Sequence, residues 1–402
     1  MSHPSGSGAP ARPLGVPTPL LEADSPVDAK ARALVQDLFD AEARLMDALP
    51  TDDPLDEKRR RRVDLTRPEI LGQPDAIRTT LSVERDAIAA VAAALAKAPP
   101  RRIVMTGCGD SLAVMVGARL LLETVLGVPC EPMQALDFAY YGARTVGPDT
   151  LLVTLSSSGT TTRTVEAMLI ARARGARTLA LSNTPGSALM TWSDVALRIH
   201  AERKGWPTQA STAAMALLMQ LGLELARALG RSSQEVEDLQ AALDAMPALI
   251  AATAAAQEDA VRAIAEREAD GAIYLFAGGG PSYASALFGA AKVKECTPDH
   301  ALAIPQEEFH HYNSQKAGEP LFVIAPDGPS VARARDTAFE GRRWGGRIYG
   351  VVSEDEDRLD ALSDAVLRLP AVPEALSALV SCVPVQLFAY HLAIAKFAKA
   401  AA

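Results

Sequence analysis

The chain has 402 residues, 49% of them apolar and 22% charged, with a net charge of −9. That length exceeds one ordinary core and suits two domains plus an extension. The acidic balance excludes a general nucleic-acid surface, which would need a basic face.

No apolar run approaches the ~20 residues of a membrane span. The Ser-, Gly- and Pro-rich start, Met1 to Arg12, has no apolar centre and so is not a secretory signal. Cys108, Cys130, Cys296 and Cys382 stand far apart, with no metal-ligand spacing and no disulfide framework; they read as reduced, mostly buried thiols of a cytoplasmic protein. Six prolines among small residues leave residues 1–26 too poor in apolar surface to pack, and they read as disordered. Asp28 to Leu49 is periodic at helical spacing, with Ala31, Leu34, Val35, Leu38 and Phe39 on one stripe. Lys58-Arg59-Arg60-Arg61-Arg62 reads first as a solvated helix face beside Asp56 and Glu57, and second as a phosphate or partner contact.

The core begins near Pro68. Asp75 to Lys97 is predicted as one helix, followed by the strand Arg102 to Met105, a tight turn Thr106 to Ser111, and a helix from Leu112 to Val125. The unit then repeats as strand Leu151 to Leu155, turn Ser156 to Thr161 and helix Arg163 to Arg174, with a third strand at Thr178 to Leu181. Strands alternating with helices imply a parallel, doubly wound α/β sheet. Helices at Thr212 to Leu229 and Gln234 to Ala265 lead into a second half. There strands at Ile273 to Phe276, Leu321 to Ala325 and Ile348 to Val352 alternate with helices at Ser282 to Lys294 and Val331 to Arg343. The recurrence, with Gly278-Gly279-Gly280 as its turn, reads as a loose duplication of a ~150-residue unit. The predicted division is an extension over 1–67, helical after its disordered start, a first domain over 68–235 and a second over 236–402.

Ser156-Ser157-Ser158-Gly159-Thr160-Thr161-Thr162 clusters six hydroxyls between an apolar strand and a helix. Free N–H groups and the dipole at a helix N-terminus favour an anion, and a glycine lets it approach closely. No lysine follows the glycine, so the segment is not a nucleoside-triphosphate loop. It suits a sugar phosphate; the plain alternative is a Ser/Thr-rich turn. Gly107-Cys108-Gly109-Asp110-Ser111 has two glycines of a dinucleotide fingerprint but Leu112 at the third, so Ser111 reads better as a further phosphate or sugar donor. Moving a proton between adjacent sugar carbons needs a carboxylate, and opening the ring is helped by an acid–base group. Glu295 and the pair His310-His311 offer these groups. Equally, Glu295 pairs with Lys292 or Lys294, and the histidines form a satisfied polar turn. No third ligand accompanies the histidines at helical spacing, so no metal is expected.

The order of segments resembles the SIS (sugar isomerase) family, in the tandem arrangement of the isomerase domain of glucosamine-6-phosphate synthase. The resemblance runs from about Pro68 to Lys396. It rests on Glu69-Ile70, Gln73-Pro74-Asp75-Ala76-Ile77, Cys108-Gly109-Asp110-Ser111, Val128-Pro129-Cys130, Leu155 to Thr161, Ala210-Ser211-Thr212, Ala291-Lys292-Val293-Lys294-Glu295 and Val383 to His391. It implies two flavodoxin-like SIS domains in tandem, acting without a cofactor. It further implies phosphate binding by Ser111, Ser156, Ser157, Ser158 and Thr161, a sugar site lined by Ser211, and Glu295 as the proton-shuttling glutamate. His311, 16 residues further on, stands at the spacing of the family's ring-opening histidine, which serves the neighbouring subunit and so implies a homodimer with a shared site.

Departures from the family pattern redirect the expectation. No glutamine-hydrolysing domain is recognisable, and Ser2 rather than Cys follows Met1. Thr160 replaces an acidic residue, Gln209 an apolar one, and Tyr312-Asn313 a Gly-Pro pair. The family's C-terminal lysine has no counterpart, which leaves open whether Lys396 or Lys399 replaces it. The expected activity is a sugar-phosphate isomerase acting at C1–C2 of a hexose or aminohexose 6-phosphate, with or without loss of the amine. The alternatives are a fructosamine-phosphate deglycase and a non-catalytic sugar-phosphate-sensing module; neither nucleic acid nor membrane is an expected partner.

Overall fold

A computed structural model describes residues 25–47, 57–312 and 314–401. The disorder expected of residues 1–26 therefore falls almost wholly outside the described residues, as does Asn313. Five helices open the chain: α1 (Ala29–Asp47), α2 (Glu57–Asp64), α3 (Thr66–Leu71), α4 (Gln73–Val83) and α5 (Arg85–Ala96). The first sheet unit follows as β1 (Arg102–Gly107), α6 (Asp110–Leu126), β2 (Cys130–Gln134), α7 (Ala135–Tyr140), β3 (Thr150–Leu155), α8 (Thr162–Ala173), β4 (Arg177–Ser182), α9 (Ala188–Trp192), β5 (Val195–Arg198) and α10 (Gln209–Ala228). After the long α11 (Gln234–Glu268) comes the second: β6 (Ile273–Gly278), α12 (Ser282–Cys296), β7 (His300–Pro305), β8 (Pro320–Ile324), α13 (Val331–Arg343), β9 (Arg347–Ser353), β10 (Ala365–Leu369) and α14 (Ala378–Ala401).

Both sheets are five-stranded and parallel, ordered β2-β1-β3-β4-β5 and β7-β6-β8-β9-β10. This is the predicted pair of doubly wound α/β domains. The central strands β3 and β8 are buried along their whole length; β8 reads as an unbroken apolar run, and β3 as one interrupted by Thr154. The edge strands β2, β5, β7 and β10 pair on one side only and carry mixed residues such as Cys-Glu-Pro-Met-Gln, so no strand was expected there. Pro132 is tolerated in β2 because an edge strand need not donate on its free side.

One helix was predicted from Asp75 to Lys97, and two are found. They break at Glu84, whose carboxylate leaves the helical line to reach the end of β5. It accepts from Arg198 N at 3.1 Å and meets His200 Nε2 at 2.8 Å.

One continuous core joins the inner faces of both sheets through α6, α10, α11, α12 and α14. Phe276 stacks on Phe322 at 5.0 Å, and Phe388 of α14 closes on Phe322 at 4.5 Å. The outer face of the first sheet is covered by α7 and α8, with Val27, Ala31 and Val35 of the extension sealing that layer. The expectation that no segment has membrane-span length needs correction. Two helices, α11 and α14, reach that length and apolarity, but 83% of the apolar stretch of α14 is buried within the protein, as is 39% of that of α11. The four cysteines are free; Cys130, Cys296 and Cys382 are buried, which pushes their thiols up to about 12.

One polar knot ties α11 to the second sheet. Glu268, fully buried, takes a two-pronged contact from Arg347, with Nε at 2.5 Å, and a hydroxyl donation from Tyr349. Removing one partner of a buried pair strands the other. Arg347→Met should therefore lower the unfolding free energy by about 3–5 kcal/mol, read from urea titration. A loss within the ~0–1 kcal/mol of a surface pair would show that solvent reaches the carboxylate.

Candidate active site

The first sheet reverses strand order between β1 and β3, the position at which open α/β sheets leave a crevice. β1 ends in a turn pressed against β3. A Cβ on Gly107 would stand 2.5 Å from Ser111 Cβ and 3.0 Å from the Leu155 carbonyl. Ser111 consequently sits in the first turn of α6, facing the end of β3. Beyond β3 the hydroxyl segment folds back on itself. Ser156 Oγ accepts from Gly159 N at 3.0 Å and meets Thr161 Oγ1 at 2.8 Å. The Ser157 carbonyl accepts from Ser182 Oγ, Asn183 N and Thr184 Oγ1 at 3.0–3.3 Å, which fastens the loop to the end of β4. Thr161 then stands at the N-cap of α8 and lines the cavity, which puts that helix N-terminus beside it. The Ser157 hydroxyl is buried without a partner among the described residues.

The second domain supplies the charge. α12 packs against α6 and carries Lys292 and Glu295 to the seam. Lys292 is 0% exposed; its Nζ lies 2.7 Å from Asp110 Oδ2 and donates also to Glu295 Oε2. Burial alone would lower the proton affinity of this amine, but the two carboxylates outweigh it and hold the ammonium form. Burial raises the Glu295 pKa, the Asp110 charge adds to the rise, and Lys292 opposes it; the net direction is up. Ser211, in the first turn of α10, reaches Asp110 Oδ2 at 3.5 Å.

A loop ahead of α10 forms the remaining wall. The buried Glu69 carboxylate accepts from Gly205 N at 2.8 Å, Thr208 N at 3.3 Å and Lys204 N. This holds the loop so that Arg203 and Pro207 face inward. Arg62 lies on the outer side of the same loop, 3.7 Å from the centre of the Trp206 ring. The basic run is therefore largely solvated, as its first reading held, but its last member packs on the loop behind the cavity.

The result is a cavity of about 260 Å³. It gathers Ser111, Ser156, Ser157, Ser158, Thr161, Ser211 and Glu295, seven of the residues singled out in the sequence. His311 lies elsewhere, after the short 3-10 turn Gln306–His310 that follows β7. Its side chain is 60% exposed, with Nε2 3.5 Å from Glu307 Oε1. Its neighbour His310 is the satisfied one, held between Glu340 and Thr337 Oγ1 at 3.0 Å. Lys396 and Lys399 are engaged away from the cavity, with Gly271 O and Asp299, and with Asp270. Asp110, Lys292 as a buried ion, and Arg203 were not foreseen as site residues. Only the i, i+3 spacing of Lys292 and Glu295 signalled the pairing. Among the described residues no group of three His, Cys, Asp or Glu side chains could hold a metal.

The family model of the SIS domain matches residues 95–224 and 269–396. The chain is 32% identical over 332 residues to glutamine–fructose-6-phosphate aminotransferase (isomerizing) of Thermococcus kodakarensis, a match covering 81% of this chain and 54% of that protein. It is 31% identical over 340 residues to the protein of the same name from Escherichia coli K12, covering 82% and 55%. The chain thus spans about half the length of the curated relatives it matches. Among solved structures, the C-terminal domain of glucosamine-fructose-6-phosphate aminotransferase from Francisella tularensis superposes with a TM-score of 0.74 at 24% identity, over 82% of this chain and 96% of that one. Tagatose-6-phosphate ketose/aldose isomerase from Escherichia coli does so at 0.65 and 20%, over 82% and 92%. At these identities the structures show a shared fold.

The hydroxyl loop depends on one backbone position. Gly159 has φ +65°, and a Cβ there would stand 2.0 Å from Ser187 Oγ. Gly159→Ala should cost at least the ~1–2 kcal/mol of a left-handed alanine, read by thermal unfolding, and Ser187→Gly should recover part of that loss by removing the clash. An unchanged melting temperature would mean that the loop is free to rearrange.

Proposed function

The chain belongs to the SIS domain family, and on that premise we propose that it interconverts the aldose and ketose forms of a hexose or aminohexose 6-phosphate. The observation that carries the proposal is Glu295. It is a partly buried carboxylate delivered from one domain into a hydroxyl-lined cavity of the other. Fructose 6-phosphate, named in the curated relatives, is the first substrate to test.

In the proposed mechanism the phosphate rests on the α8 N-terminus, taking hydrogen bonds from Ser156, Ser157, Ser158 and Thr161, with Ser111 across the crevice. Arg203 adds the one guanidinium of the cavity wall. The sugar then extends along Ser211 toward Glu295. Glu295 takes the proton from C2 of the open-chain aldose while O1 gains a proton, giving the enediol. Returning the proton to C1 while O2 loses its own gives the ketose. The two carbons are adjacent, so one carboxylate reaches both. A raised pKa brings a carboxylate nearer neutrality, where it both accepts and returns a proton efficiently. Lys292 fixes one carboxylate oxygen and leaves the other for the substrate.

His311 acts, in this reading, on the cavity of a second copy of the chain, as ring-opening acid and base. Its exposure at the edge of the second sheet is compatible with that role. The working unit is then a homodimer in the cytoplasm. Loss of the amine from an aminohexose substrate is a variant of the same chemistry.

Glu295→Gln keeps the shape but cannot accept the proton. Turnover should fall by about 10²–10⁴ while fructose 6-phosphate binding, measured by calorimetry, stays within about threefold. Near-native turnover would remove Glu295 from the mechanism. Assembly is tested by mixing two inactive variants, Glu295→Gln and His311→Ala. Hybrid dimers hold one site with both native residues and should regain up to about a quarter of the native activity under random exchange with one intact site per hybrid. No recovery after verified subunit exchange would contradict a shared site.

A further inference from the structure

The second domain repeats the first crevice turn for turn. Strand for strand, β7-β6-β8-β9-β10 corresponds to β2-β1-β3-β4-β5. Gly278-Gly279-Gly280-Pro281-Ser282 after β6 stands where Gly107-Cys108-Gly109-Asp110-Ser111 stands after β1. Gly280 and Gly109 share a left-handed backbone, at φ +53° and +58°. Ser282 N and Ser111 N each donate three residues back, to Gly279 O at 3.1 Å and Cys108 O at 3.2 Å. The loop Ala325-Pro326-Asp327-Gly328-Pro329-Ser330 leads into α13 as Ser156 to Thr161 leads into α8. Gly328 and Gly159 are both left-handed, at φ +99° and +65°.

The chemistry of this second crevice is inverted. Ser156, Ser157 and Ser158 become Ala325, Pro326 and Asp327, so three of the five phosphate donors are gone and an acid has arrived, while Ser330 and Ser282 keep the places of Thr161 and Ser111. The loop ahead of α14, counterpart of the one that carries Arg203, brings Glu374 instead. Glu374 lies over the second glycine loop: a Cβ on Gly328 would meet its Oε1 at 2.0 Å, and one on Gly280 at 3.5 Å. No cation among the described residues offsets its charge; burial and the nearby Asp327 both raise its pKa. Beside it Gln306 is 4% exposed. Its Nε2 donates to Ser330 O at 3.2 Å, which sets the amide orientation and leaves Oε1 buried without a partner among the described residues. That oxygen stands 3.2 Å from where a Gly279 Cβ would be.

These groups line a cavity of about 690 Å³ at the seam of the two domains, with Val116, Leu120 and Tyr283 as its apolar wall. The arginines of this cavity are already engaged. Arg333 forks onto Glu307 at 2.7 and 2.9 Å, and Arg119 pairs with Glu123 at 3.1 Å. Two acceptors therefore remain open beside an apolar surface. We infer that the second crevice is a binding site for a small organic ammonium ion, its N–H groups donating to Glu374 and Gln306 Oε1 and its carbon frame lying on Val116, Leu120 and Tyr283. A phosphate finds three of the cradle's hydroxyls replaced and meets the carboxylates of Glu123, Glu307 and Glu374, and a bare metal ion would leave the apolar wall unused.

Three probes of one shape separate the chemistry: cyclohexylamine, cyclohexanol and cyclohexanecarboxylate, titrated calorimetrically into the full chain at neutral pH. The amine should bind saturably at one site per chain, at least about tenfold tighter than the alcohol, with no heat from the carboxylate or from inorganic phosphate competing at this site. Glu374→Gln should weaken the amine at least about tenfold. Leu120→Trp, which narrows the crevice but keeps the acid, should weaken it too. Equal affinity for amine and alcohol, an unchanged affinity in Glu374→Gln, or no saturable amine binding overturns the inference. So does displacement of the amine by fructose 6-phosphate, which would place it in the first cavity. The same samples titrated with fructose 6-phosphate alone report separately on the first site.

Discussion

The architecture depends on one buried charge. Lys292 is wholly enclosed, and an ammonium ion in such a place is tolerable only with opposite charges and hydrogen bonds around it. One of its carboxylates, Glu295, lies a turn along its own helix. The other, Asp110, belongs to the opposite domain, at the turn after β1. The pairing therefore holds only if α12 meets α6 in a single register. An ion triad of this kind adds little net stability compared with apolar packing, but it penalises every other docking. The continuous core across the seam provides the attraction, and the buried lysine provides the alignment. Glu295 reaches the hydroxyl-lined cavity as a consequence.

The hydroxyl loop shows how the cavity is kept ready. Backbone carbonyls of polar loops normally take their hydrogen bonds from water. Here the Ser157 carbonyl takes three from Ser182, Asn183 and Thr184, so the loop is braced from behind. The Ser157 hydroxyl is left buried without a partner among the described residues, beside the N-terminus of α8. An anion entering the cavity meets donors already aimed, and the ordering cost of the loop has been met by folding. Glu69 does similar work on the opposite wall, holding the backbone N–H groups of Lys204, Gly205 and Thr208 with one carboxylate.

Much of this was legible in the sequence, and the reasons for the rest are physical. Central strands such as β3 announce themselves because both faces are buried, so four of its six residues are aliphatic and the two threonines are β-branched. Edge strands such as β2 and β7 were invisible because half their surface is solvated and their composition is mixed. The break at Glu84 follows from a tertiary contact with β5 that no helical periodicity could report. The hydroxyl loop was readable because its chemistry is local. The buried state of Lys292 was not, since a lysine beside a glutamate at helical spacing looks the same on a solvated face. Arg203 was missed for a related reason. Its inward direction depends on Glu69, more than a hundred residues earlier in the chain. The membrane-length helices α11 and α14 show the converse error, in which windows of apolar residues broken by a few polar ones pass a length test that an unbroken run does not.

Environment, more than residue type, separates the acidic groups of this molecule. Glu295 and Glu374 reach the two copies of one crevice from different elements, α12 and the loop ahead of α14, yet both are partly buried and both have a raised pKa. Their surroundings differ. Glu295 has an ammonium group on one oxygen, so attraction to Lys292 opposes burial and the Asp110 charge, and the net direction is up. Glu374 has Asp327 beside it and no cation, so burial and repulsion act together. In the proposed mechanism the first arrangement serves a group that takes up and releases a proton, with Lys292 holding one oxygen. The second leaves a charge wanting a counterion, and a charge of that kind binds better than it shuttles. A duplicated fold can thus divide its two crevices between chemistry and recognition by changing a handful of loop residues, while the glycine turns that shape both are retained.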